Sequence, residues 1–431
     1  MNQPTFQVAI IGFGTVGEGV YRTLERKAKK IEALLGRSLH IPFVLVKSVE
    51  KDRDVLPVTK VTNRLEDLLE YDRLDVVVEA SPDAETAYPF VTELLRRGVS
   101  VISANKELMA KYGEELHQLA TDHRCHLLYE AAVAGGIPLL NTIRHTLKTN
   151  TVDRLEGILN GTSNFMLTKM REEGASFPQA LREAQEKGYA EAVPDKDVDG
   201  WDAYFKTTIL SHWIYGKAPV WKGEPKGIRH VTVEDISLAN QLNGRIKHVA
   251  SLVKVGDNVE ASVEPCLVLN DHLLYGVEGV NNGIHIEGSI VGSVMLQGPG
   301  AGKYPTASAI VEDLVNLLLR KDEKVEEQGI EFVEHGFSEK VLDDSSYTGL
   351  WFVTGNEALL SQWLTSVGAQ KLTVSSLRPE QKTGAIVYLN FDQQQALEAF
   401  GEDIQLYPVL TNIGAGDIVG EKKEEKKTVS F

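Results

Sequence analysis

The sequence predicts an α/β protein whose first domain is a doubly wound parallel sheet. Three observations carry this prediction. A short apolar run, FQVAII at 6–11, leads directly into the glycine-rich segment GFGTVG at 12–17. Further short apolar runs follow it, and they alternate with helix-like stretches over the first 130 residues. Runs that are apolar from end to end are typical of strands buried on both faces of a parallel sheet.

The elements of this first domain follow in order along the chain. Each apolar run predicts a strand, and each amphipathic stretch between two runs predicts a helix that packs on the sheet. The predicted strands cover 6–11, 43–46, 75–79, 99–103 and 126–129, and the predicted helices cover 16–35, 85–97 and 106–122. A late helix at 307–319 is expected to return to this sheet, so the first domain spans 1–137 and is completed by 305–320.

After 136–138 the pattern changes, which predicts a second domain of α+β type at 138–304. Its predicted elements are a helix at 139–147, a strand at 152–159, a long helix at 200–215 and a β-rich stretch at 249–295. A third, small module is expected at 330–415, where the elements follow the strand-helix-strand-strand-helix-strand order of a ferredoxin-like module. The charged run EKKEEKK predicts a disordered tail at 416–431.

Composition and charge exclude several classes of function. A chain of 431 residues is too long for one ordinary core, which supports several domains. The net charge of -16 argues against non-specific binding of nucleic acid, because such binding needs a basic face. The only two cysteines, Cys125 and Cys266, stand far apart, which suits a reducing compartment. No apolar run approaches the roughly 20 residues of a membrane helix, so a cytoplasmic location without membrane contact is expected.

The glycine-rich segment matches the G-x-G-x-x-G pattern of a Rossmann-type sheet, between a strand and a helix. Gly12 makes the tight turn, Gly14 lets the backbone approach a pyrophosphate, and Gly17 allows close packing of helix and strand. We therefore expect a dinucleotide cofactor here. The alternative is a tight turn that binds nothing.

The second strand indicates which dinucleotide is bound. An NAD site usually carries an acidic residue at this point, whereas this strand ends in Val46-Lys47-Ser48 with Lys51 and Arg53 close behind. A basic and hydroxylated strand end suits a 2′-phosphate. NADP is therefore the predicted cofactor, with NAD as the alternative.

Two lysines are candidates for proton transfer. Lys106 follows Ser103-Ala104-Asn105 at the carboxyl end of a predicted strand, the edge that faces the ligand crevice in a doubly wound sheet. Lys206 lies four residues after Asp202 in the acidic segment at 188–206, so a helix would place both on one face. A lysine held by carboxylates could give a proton to a carbonyl oxygen. Taken alone, the segment favours a solvated acidic turn with a weak surface ion pair, because such pairs are common.

Three further loops have two readings each. The segment 130–138 (EAAVAGGIP) could bind a cation through one carboxylate and main-chain carbonyls, but its composition alone favours a crossover between domains. In 160–165 (NGTSNF), Thr162 or Ser163 could cap a helix that binds a substrate carboxylate or hydroxyl, or form an ordinary turn. The segment 298–302 (GPGAG) could cover a nicotinamide or act as a linker.

Together and in this order, these segments resemble homoserine dehydrogenases. The resemblance runs from about Val8 to Leu319, through GFGTVG, SANKELMA, YEAAVAGGIP, NGTSNF, GYAEAVPDKDVDGWDAYFK and GPGAGKYPTASA. It implies NAD(P)-dependent interconversion of L-aspartate 4-semialdehyde and L-homoserine, in the aspartate route to threonine, methionine and isoleucine. It also implies a homodimer or homotetramer and a C-terminal ACT-like module, here without the usual D-x-P-G turn of effector-binding relatives.

The resemblance implies roles for individual residues. Lys206 would give the proton to the aldehyde oxygen, Lys106 would be the second active-site lysine, and Asp202 would hold Lys206. The implied substrate contacts are Glu191, Asp197, Thr162, Gly161 and Tyr189. The implied cofactor contacts are Gly12, Phe13, Gly14, Thr15, Val16, Gly17, Lys47, Ser81, Ser103, Asn105, Lys106 and Gly302. The implied sodium ligands are Glu130 and the main-chain carbonyls of Val133, Gly135 and Ile137.

Two other functions remain open on the sequence. Val193 stands where the family usually has an aspartate, which leaves room for another NAD(P)-dependent oxidoreductase acting on a related amino-acid aldehyde or a sugar. A catalytically silent, cofactor-binding regulator is the second alternative. The presence of both lysines and of Asp202 argues against it.

Overall fold

The architecture is that of a computed structural model, which describes residues 5–320, 349–369, 371–376, 382–396 and 403–412. The charged stretch after 320 and the tail predicted as disordered at 416–431 lie outside these residues. In the part that the structure describes, no helix is long and apolar enough to cross a membrane.

The first domain is built on a seven-stranded parallel sheet, which confirms the predicted α/β class. Its strands run in the order β4-β3-β1-β5-β6-β7, with β2 paired to β1. Their bounds are β1 Phe6–Ile11, β2 Leu39–His40, β3 Phe43–Leu45, β4 Lys60–Thr62, β5 Val76–Glu79, β6 Ser100–Ser103 and β7 Leu127–Leu128. The strand order reverses between β1 and β5, and ligands of such sheets bind in the crevice at that point.

The helices on this sheet are α1 Thr15–Leu35, α2 Glu66–Leu69, α3 Ala84–Arg96 and α4 Lys106–Asp122. Asp83 and Asn105 cap α3 and α4, since their side chains accept hydrogen bonds from the first-turn amides of Thr86 and Leu108. For three of these four helices, both ends were predicted within one residue. The exception is α2, a single turn whose four residues are too few for a periodic pattern.

The second domain combines short and long helices. These are α5 Ala131–Ala134, α6 Leu139–Asn141, α7 Gly161–Glu173, α8 Phe177–Glu186, α9 Asp195–Val198, α10 Trp201–Tyr215 and α11 Val233–Gln241. The helix predicted at 139–147 is split, because α6 continues as a π-helical turn at Thr142–Thr146. The long helix predicted at 200–215 begins one residue later, after Gly200 with φ of +89°.

The strands of the second domain are β8 Val152–Ile158, β9 Val220–Trp221, β10 Gly244–Val255, β11 Asn258–Leu269, β12 Asn281–Gly288 and β13 Gly292–Pro299. They pair in the order β13-β12-β8-β10-β11, and β9 joins β11. Helix α10 packs Ala203, Ile209 and Leu210 against this sheet and also contacts α4 of the first domain. The two domains therefore meet beside α10, the helix that carries Asp202 and Lys206.

Helix α12 spans Lys303–Leu319, so it begins before the predicted 307–319, and it packs on the first domain. It packs against α1, and its buried residues Ile310 and Leu314 share a core with Val20 and Leu24 of α1. Gly19 is needed at this contact, because a Cβ there would lie 2.6 Å from the carbonyl oxygen of Lys303.

The C-terminal module contains β14 Gly349–Asn356, α13 Glu357–Ser366, β15 Lys371–Ser376, β16 Lys382–Leu389, α14 Phe391–Gln395 and β17 Ile404–Leu410. Its strands are antiparallel in the order β17-β14-β16-β15. Strand β17 pairs in parallel with β11, so module and second domain share one ten-stranded sheet. The assignment of this module to the ACT type stays a prediction.

Candidate active site

The glycine-rich loop connects β1 to α1 at the crevice. Gly12 has φ of +87°, and a Cβ there would lie 2.5 Å from the carbonyl oxygen of Ala80. A Cβ at Gly17 would lie 2.0 Å from the carbonyl oxygen of Gly12, whereas the space around Gly14 is open. No side chain caps α1 at Gly14, so its first amides and its dipole face the crevice. This loop fits a dinucleotide, because a pyrophosphate can approach the backbone only where side chains are absent.

The end of β3 is basic, as predicted. Lys47 and Ser48 follow the buried Val46 and are both exposed. Lys51 is exposed too, and Arg53 donates a hydrogen bond to the Lys51 carbonyl at 2.8 Å. This cluster of positive charge lies at the carboxyl edge of the sheet, where a cofactor ribose can reach it.

A buried glutamate organises the ends of β5 and β6. Glu79 accepts hydrogen bonds from the amide and hydroxyl of Ser81 and, at 2.6 Å, from the hydroxyl of Ser103. Ser103 Oγ in turn accepts from the amide of Asn105 at 3.0 Å, and the Asn105 amide side chain reaches the Ser81 carbonyl. Burial raises the pKa of Glu79, and the hydrogen bonds from Ser103 and Ser81 offset part of that rise. Lys106 begins α4 directly after this network.

Asp202 bridges the two candidate lysines. Its Oδ1 accepts a short hydrogen bond from Lys106 Nζ, and its Oδ2 accepts one from Lys206 Nζ at 2.8 Å. Asp202 and Lys206 are buried, whereas 35% of the Lys106 side chain is exposed. The structure thus brings Lys106, Asp202 and Lys206 together, although Lys106 lies far from the other two in the sequence.

Asn160 holds the carboxylates of this cluster. Its side-chain NH₂ donates to Asp202 Oδ2 at 2.9 Å and to Asp197 Oδ1 at 2.8 Å. Its Oδ1 accepts from the Ser163 amide, so Asn160 caps α7, whereas Thr162 or Ser163 was predicted to do so. The prediction was off by two or three residues because an Asn in extended conformation accepts from the first turn just as a hydroxyl does.

The electrostatics separate the two lysines. The charge of Asp202 raises the pKa of Lys106, more than burial lowers it. Burial lowers the pKa of Lys206, and the attraction of Asp202 does not restore it. Burial alone would raise the pKa of Asp202, but the charges of Lys206 and Lys106 outweigh it, so this carboxyl stays ionised with a lowered pKa. Burial and Asp202 raise the pKa of Asp197. Lys206 is therefore the lysine that gives up its proton more readily.

Lys206 has a second fixed partner. Its Nζ donates to the carbonyl of Leu159 at 2.7 Å, and Asn282 donates to the same carbonyl at 2.9 Å. Two of the three ammonium hydrogens are thereby directed to Asp202 and Leu159, which leaves one for a further acceptor. Asn282 is buried beside Gly300, where a Cβ would collide with its amide at 2.0 Å.

The predicted substrate contacts lie around the start of α7. The hydroxyl of Thr162 donates to the Tyr189 carbonyl at 2.6 Å, and Tyr189 packs edge-on against Phe165. Gly161 is required, since a Cβ would lie 2.7 Å from the Val280 carbonyl oxygen. Glu191 is exposed, and within the described part of the chain its carboxylate has no ion-pair partner. Val193 is 73% exposed.

Not all acidic residues of 188–206 turn toward the lysines. Asp195 and Asp199 both accept hydrogen bonds from the guanidinium of Arg229, each at 2.5 Å. Asp197, which lies on α9 before the start of α10, is half-buried and faces the cluster through Asn160. Of the acidic segment, the structure assigns Asp197 and Asp202 to the candidate site.

The predicted sodium ligands lie next to this site. Glu130 is 2% exposed, and it accepts hydrogen bonds from the Leu140 amide at 2.9 Å and from the main chain and side chain of Asn141, each at 2.6 Å. Burial raises the pKa of Glu130 to about 7, so these hydrogen bonds do not compensate its charge. Gly135 has φ of +57° and packs against Gly300. A buried carboxylate whose hydrogen bonds do not offset its desolvation suits a hard cation, for which main-chain carbonyls of the same loop can supply further oxygen ligands.

Sequence reasoning missed Asp313, a second carboxylate in this region. Asp313 lies on α12, is buried, and accepts from the Glu130 amide at 3.1 Å and from the Asn141 side chain at 2.9 Å. It also missed Glu79, Asn282 and the bridging role of Asn160. Of these, only Asn160 belonged to a motif that had been singled out. Glu79 ends an apolar strand, Asn282 follows Asn281 and Asp313 follows Glu312, and no spacing in the sequence indicates the partner of any of them.

The fold and this site define the class of protein. A glycine-rich loop that fits a dinucleotide lies at the crevice of a Rossmann-type sheet, and two lysines share one carboxylate at the start of α4 of the same domain, which together indicate a nicotinamide-dependent oxidoreductase. Residues 138–315 match the family model described as homoserine dehydrogenase, and residues 12–130 match the one described as homoserine dehydrogenase, NAD binding domain. The chain is 38% identical over 314 residues to the homoserine dehydrogenase of Bacillus subtilis, and 72% of each chain is covered.

Solved structures agree with these matches. The structure of a homoserine dehydrogenase from Thiobacillus denitrificans superimposes with a TM-score of 0.85 and 29% identity, covering 95% of this chain and 99% of that one. A hyperthermophilic archaeal homoserine dehydrogenase in complex with NADPH gives a TM-score of 0.63 and 28% identity, with 74% and 98% coverage. The chain belongs to the homoserine dehydrogenase family. The resemblance inferred from the sequence motifs is thereby confirmed.

Proposed function

We propose that this protein interconverts L-aspartate 4-semialdehyde and L-homoserine by hydride transfer with NADP, in the route to threonine, methionine and isoleucine. The observation that carries the proposal is the bridge from Lys106 through Asp202 to Lys206 at the crevice. The bound nicotinamide supplies or accepts the hydride. The protein side chains then have to stabilise and protonate the oxygen on which charge develops.

Lys206 is the acid–base residue of this proposal. Its pKa is lowered by burial, and one of its hydrogens is not directed to Asp202 or Leu159. It donates that proton to the aldehyde oxygen in reduction, and the neutral amine takes it back in oxidation. Lys106 keeps its proton, because Asp202 raises its pKa, and contributes a fixed positive charge beside the developing alkoxide.

The ammonium group of the substrate needs negatively charged partners. Glu191 is exposed and has no ion-pair partner among the described residues, so it would bind the ammonium, with Asp197 close to the lysines as the second negative group. Gly161, Thr162 and Tyr189 form the wall of this part of the pocket. Val193 is 73% exposed and stands where the family usually has an aspartate, so the ammonium contact of this proposal depends on Glu191 and Asp197.

Cofactor preference and cation use complete the proposal. Lys47 and Ser48, exposed after β3, would bind the 2′-phosphate of NADP; NAD is the alternative. The remaining cofactor contacts would come from the glycine loop, from Ser81, Ser103 and Asn105, and from Gly302, which is exposed at the start of α12. A sodium ion would bind at Glu130 and the carbonyls of Val133, Gly135 and Ile137, where it would compensate a buried charge.

Self-association and location also remain proposals. Ile290 and Val291, at the turn between β12 and β13, are exposed apolar residues, 73% and 46% respectively, which supports a homodimer or homotetramer formed through the second domain. Light scattering on the purified protein measures this directly. A cytoplasmic location stays a prediction from the sequence.

One assay separates the proposed function from its alternatives. Purified protein is incubated with L-homoserine and either NADP or NAD, and formation of reduced cofactor is followed by absorbance. We expect turnover with homoserine and a higher kcat/KM with NADP. Turnover with another amino alcohol or a sugar alcohol, but not with homoserine, would support a different oxidoreductase. Cofactor binding without turnover of any of these would support a silent regulator.

A further inference from the structure

Glu79 is a buried carboxylate that the proposed reaction does not use. It is the last residue of β5, at the carboxyl edge where the strand order reverses, and it has 0% exposure. Among the described residues, none with a positive charge pairs with it. Its partners are three hydrogen-bond donors, two on Ser81 and one on Ser103.

All three donors point into the carboxylate. The Ser81 amide can only donate, and Ser103 Oγ already accepts from the Asn105 amide, which leaves the Ser103 hydroxyl hydrogen for Glu79. These hydrogen bonds favour the ionised form and offset part of the rise that burial causes in the pKa of Glu79. A buried ionised carboxylate without a cation costs several kcal/mol, and such costs are expected at functional sites more than elsewhere.

The network leads from Glu79 to the reacting centre. Ser103 fixes the amide of Asn105, and the Asn105 side chain both caps α4 and donates to the Ser81 carbonyl. Lys106 is the first residue of α4 and pairs with Asp202. A shift of Glu79 would therefore move the start of α4 and with it the ammonium of Lys106.

We propose that Glu79 is a positioning residue that sets Lys106 through Ser103 and Asn105, and whose negative charge at the crevice floor favours the oxidised, positively charged nicotinamide over the reduced one. This inference rests on the proposed function only in assuming a nicotinamide cofactor in the crevice. It assigns to this chain a residue that strengthens binding of the oxidised cofactor relative to the reduced one.

Two substitutions separate position from charge. Glu79→Gln keeps the shape: its Oε1 can accept both bonds from Ser81, and its amide can donate to Ser103 Oγ. Glu79→Asp keeps the charge but is one methylene too short to reach both serines. Dissociation constants for NADP⁺ and NADPH are measured by titration calorimetry, and kcat is measured with homoserine.

We expect Glu79→Gln to raise the ratio of the NADP⁺ dissociation constant to the NADPH dissociation constant about tenfold. We expect Glu79→Asp to keep this ratio within about twofold, while kcat falls at least about tenfold. An unchanged ratio in Glu79→Gln, or an unchanged kcat in Glu79→Asp, would overturn the inference. If Glu79→Gln does not fold, the double variant Ser81→Ala/Ser103→Ala takes its place, because loss of the two hydroxyl donors, with the backbone amide of residue 81 left in place, favours the neutral form of the carboxyl. An unchanged ratio there contradicts the inference equally. If the wild type binds neither cofactor, the proposed function itself fails.

Discussion

Replacing Asp202 by Asn tests the bridge between the two lysines. The substitution keeps the size and one acceptor oxygen of the side chain but removes the negative charge that both ammonium groups share. Asp202 is 3% exposed and accepts hydrogen bonds from Lys106, Lys206 and Asn160. With Asn in its place, two buried or half-buried positive charges lose their common partner.

The structure sets the expected size of the effect. Removing one partner of a buried ion pair costs about 3–5 kcal/mol of unfolding free energy. Because 35% of the Lys106 side chain is exposed, solvent screens part of this loss, and we expect the lower end, about 3 kcal/mol. The pKa of Lys206 should fall further, since the charge of Asp202 is what raises it against burial. In the reductive direction the enzyme needs protonated Lys206, so the limb of kcat that falls with rising pH should move to lower pH.

The assay combines urea denaturation with kcat measured across pH. Asp199→Asn is the matched control: it lies three residues away and pairs with Arg229 at the surface, so it should cost less than about 1 kcal/mol and leave the pH profile in place. We expect kcat of Asp202→Asn to fall at least about 100-fold. If Asp202→Asn were as stable as Asp199→Asn and its kcat fell at the same pH as that of the wild type, Asp202 would not be the residue that sets the pKa of Lys206.

Three further predictions follow from the same structure. Lys106→Met should lower kcat by at least about 100-fold, with little change in the NADPH dissociation constant measured by fluorescence titration. A selective loss of NADPH binding would instead indicate that Lys106 binds the cofactor. Gly12→Ala should weaken NADPH binding more than about tenfold, because its Cβ meets the Ala80 carbonyl at 2.5 Å; unchanged binding would contradict the loop assignment. Burial raises the pKa of Glu130 from its ordinary 4.5 to about 7. Ionisation of Glu130 therefore lowers the free energy of unfolding by about 3 kcal/mol above about pH 7, and it has no effect below about pH 4, where the carboxyl is protonated in the folded and the unfolded chain. Sodium chloride should therefore raise Tm more than choline chloride at about pH 8 but not at about pH 5, and Glu130→Gln should abolish the difference; equal effects of the two salts would count against a cation at Glu130.

The first domain could be predicted from local signals because its elements are regular. Helix α4 was predicted at its observed bounds, since an Asn cap and an amphipathic pattern mark both its start and its face. Strand β2 was missed and strand β7 was predicted too long, at 126–129. Both have two residues, and their extent is set by pairing with neighbouring strands rather than by their own residues.

The candidate site could be predicted in its residue types but not in its contacts. The Asp202–Lys206 pair is local, and the helical spacing was sufficient to place it. That Lys106 reaches the same carboxylate depends on how α4 packs against α10, which no spacing encodes. Likewise, only the resemblance distinguished Asp197 from the other aspartates of the acidic segment. The structure adds that Arg229, about 30 residues later, binds Asp195 and Asp199.

The central claim is that Lys206 is the acid–base residue of a homoserine dehydrogenase. The most direct measurement is the single-turnover rate of NADPH oxidation by L-aspartate 4-semialdehyde in the wild type and in Lys206→Met, with NADPH binding measured on both proteins. The account predicts turnover by the wild type, and a loss of at least about 100-fold in Lys206→Met with NADPH binding retained. A Lys206→Met protein that turns over at nearly the wild-type rate would contradict it.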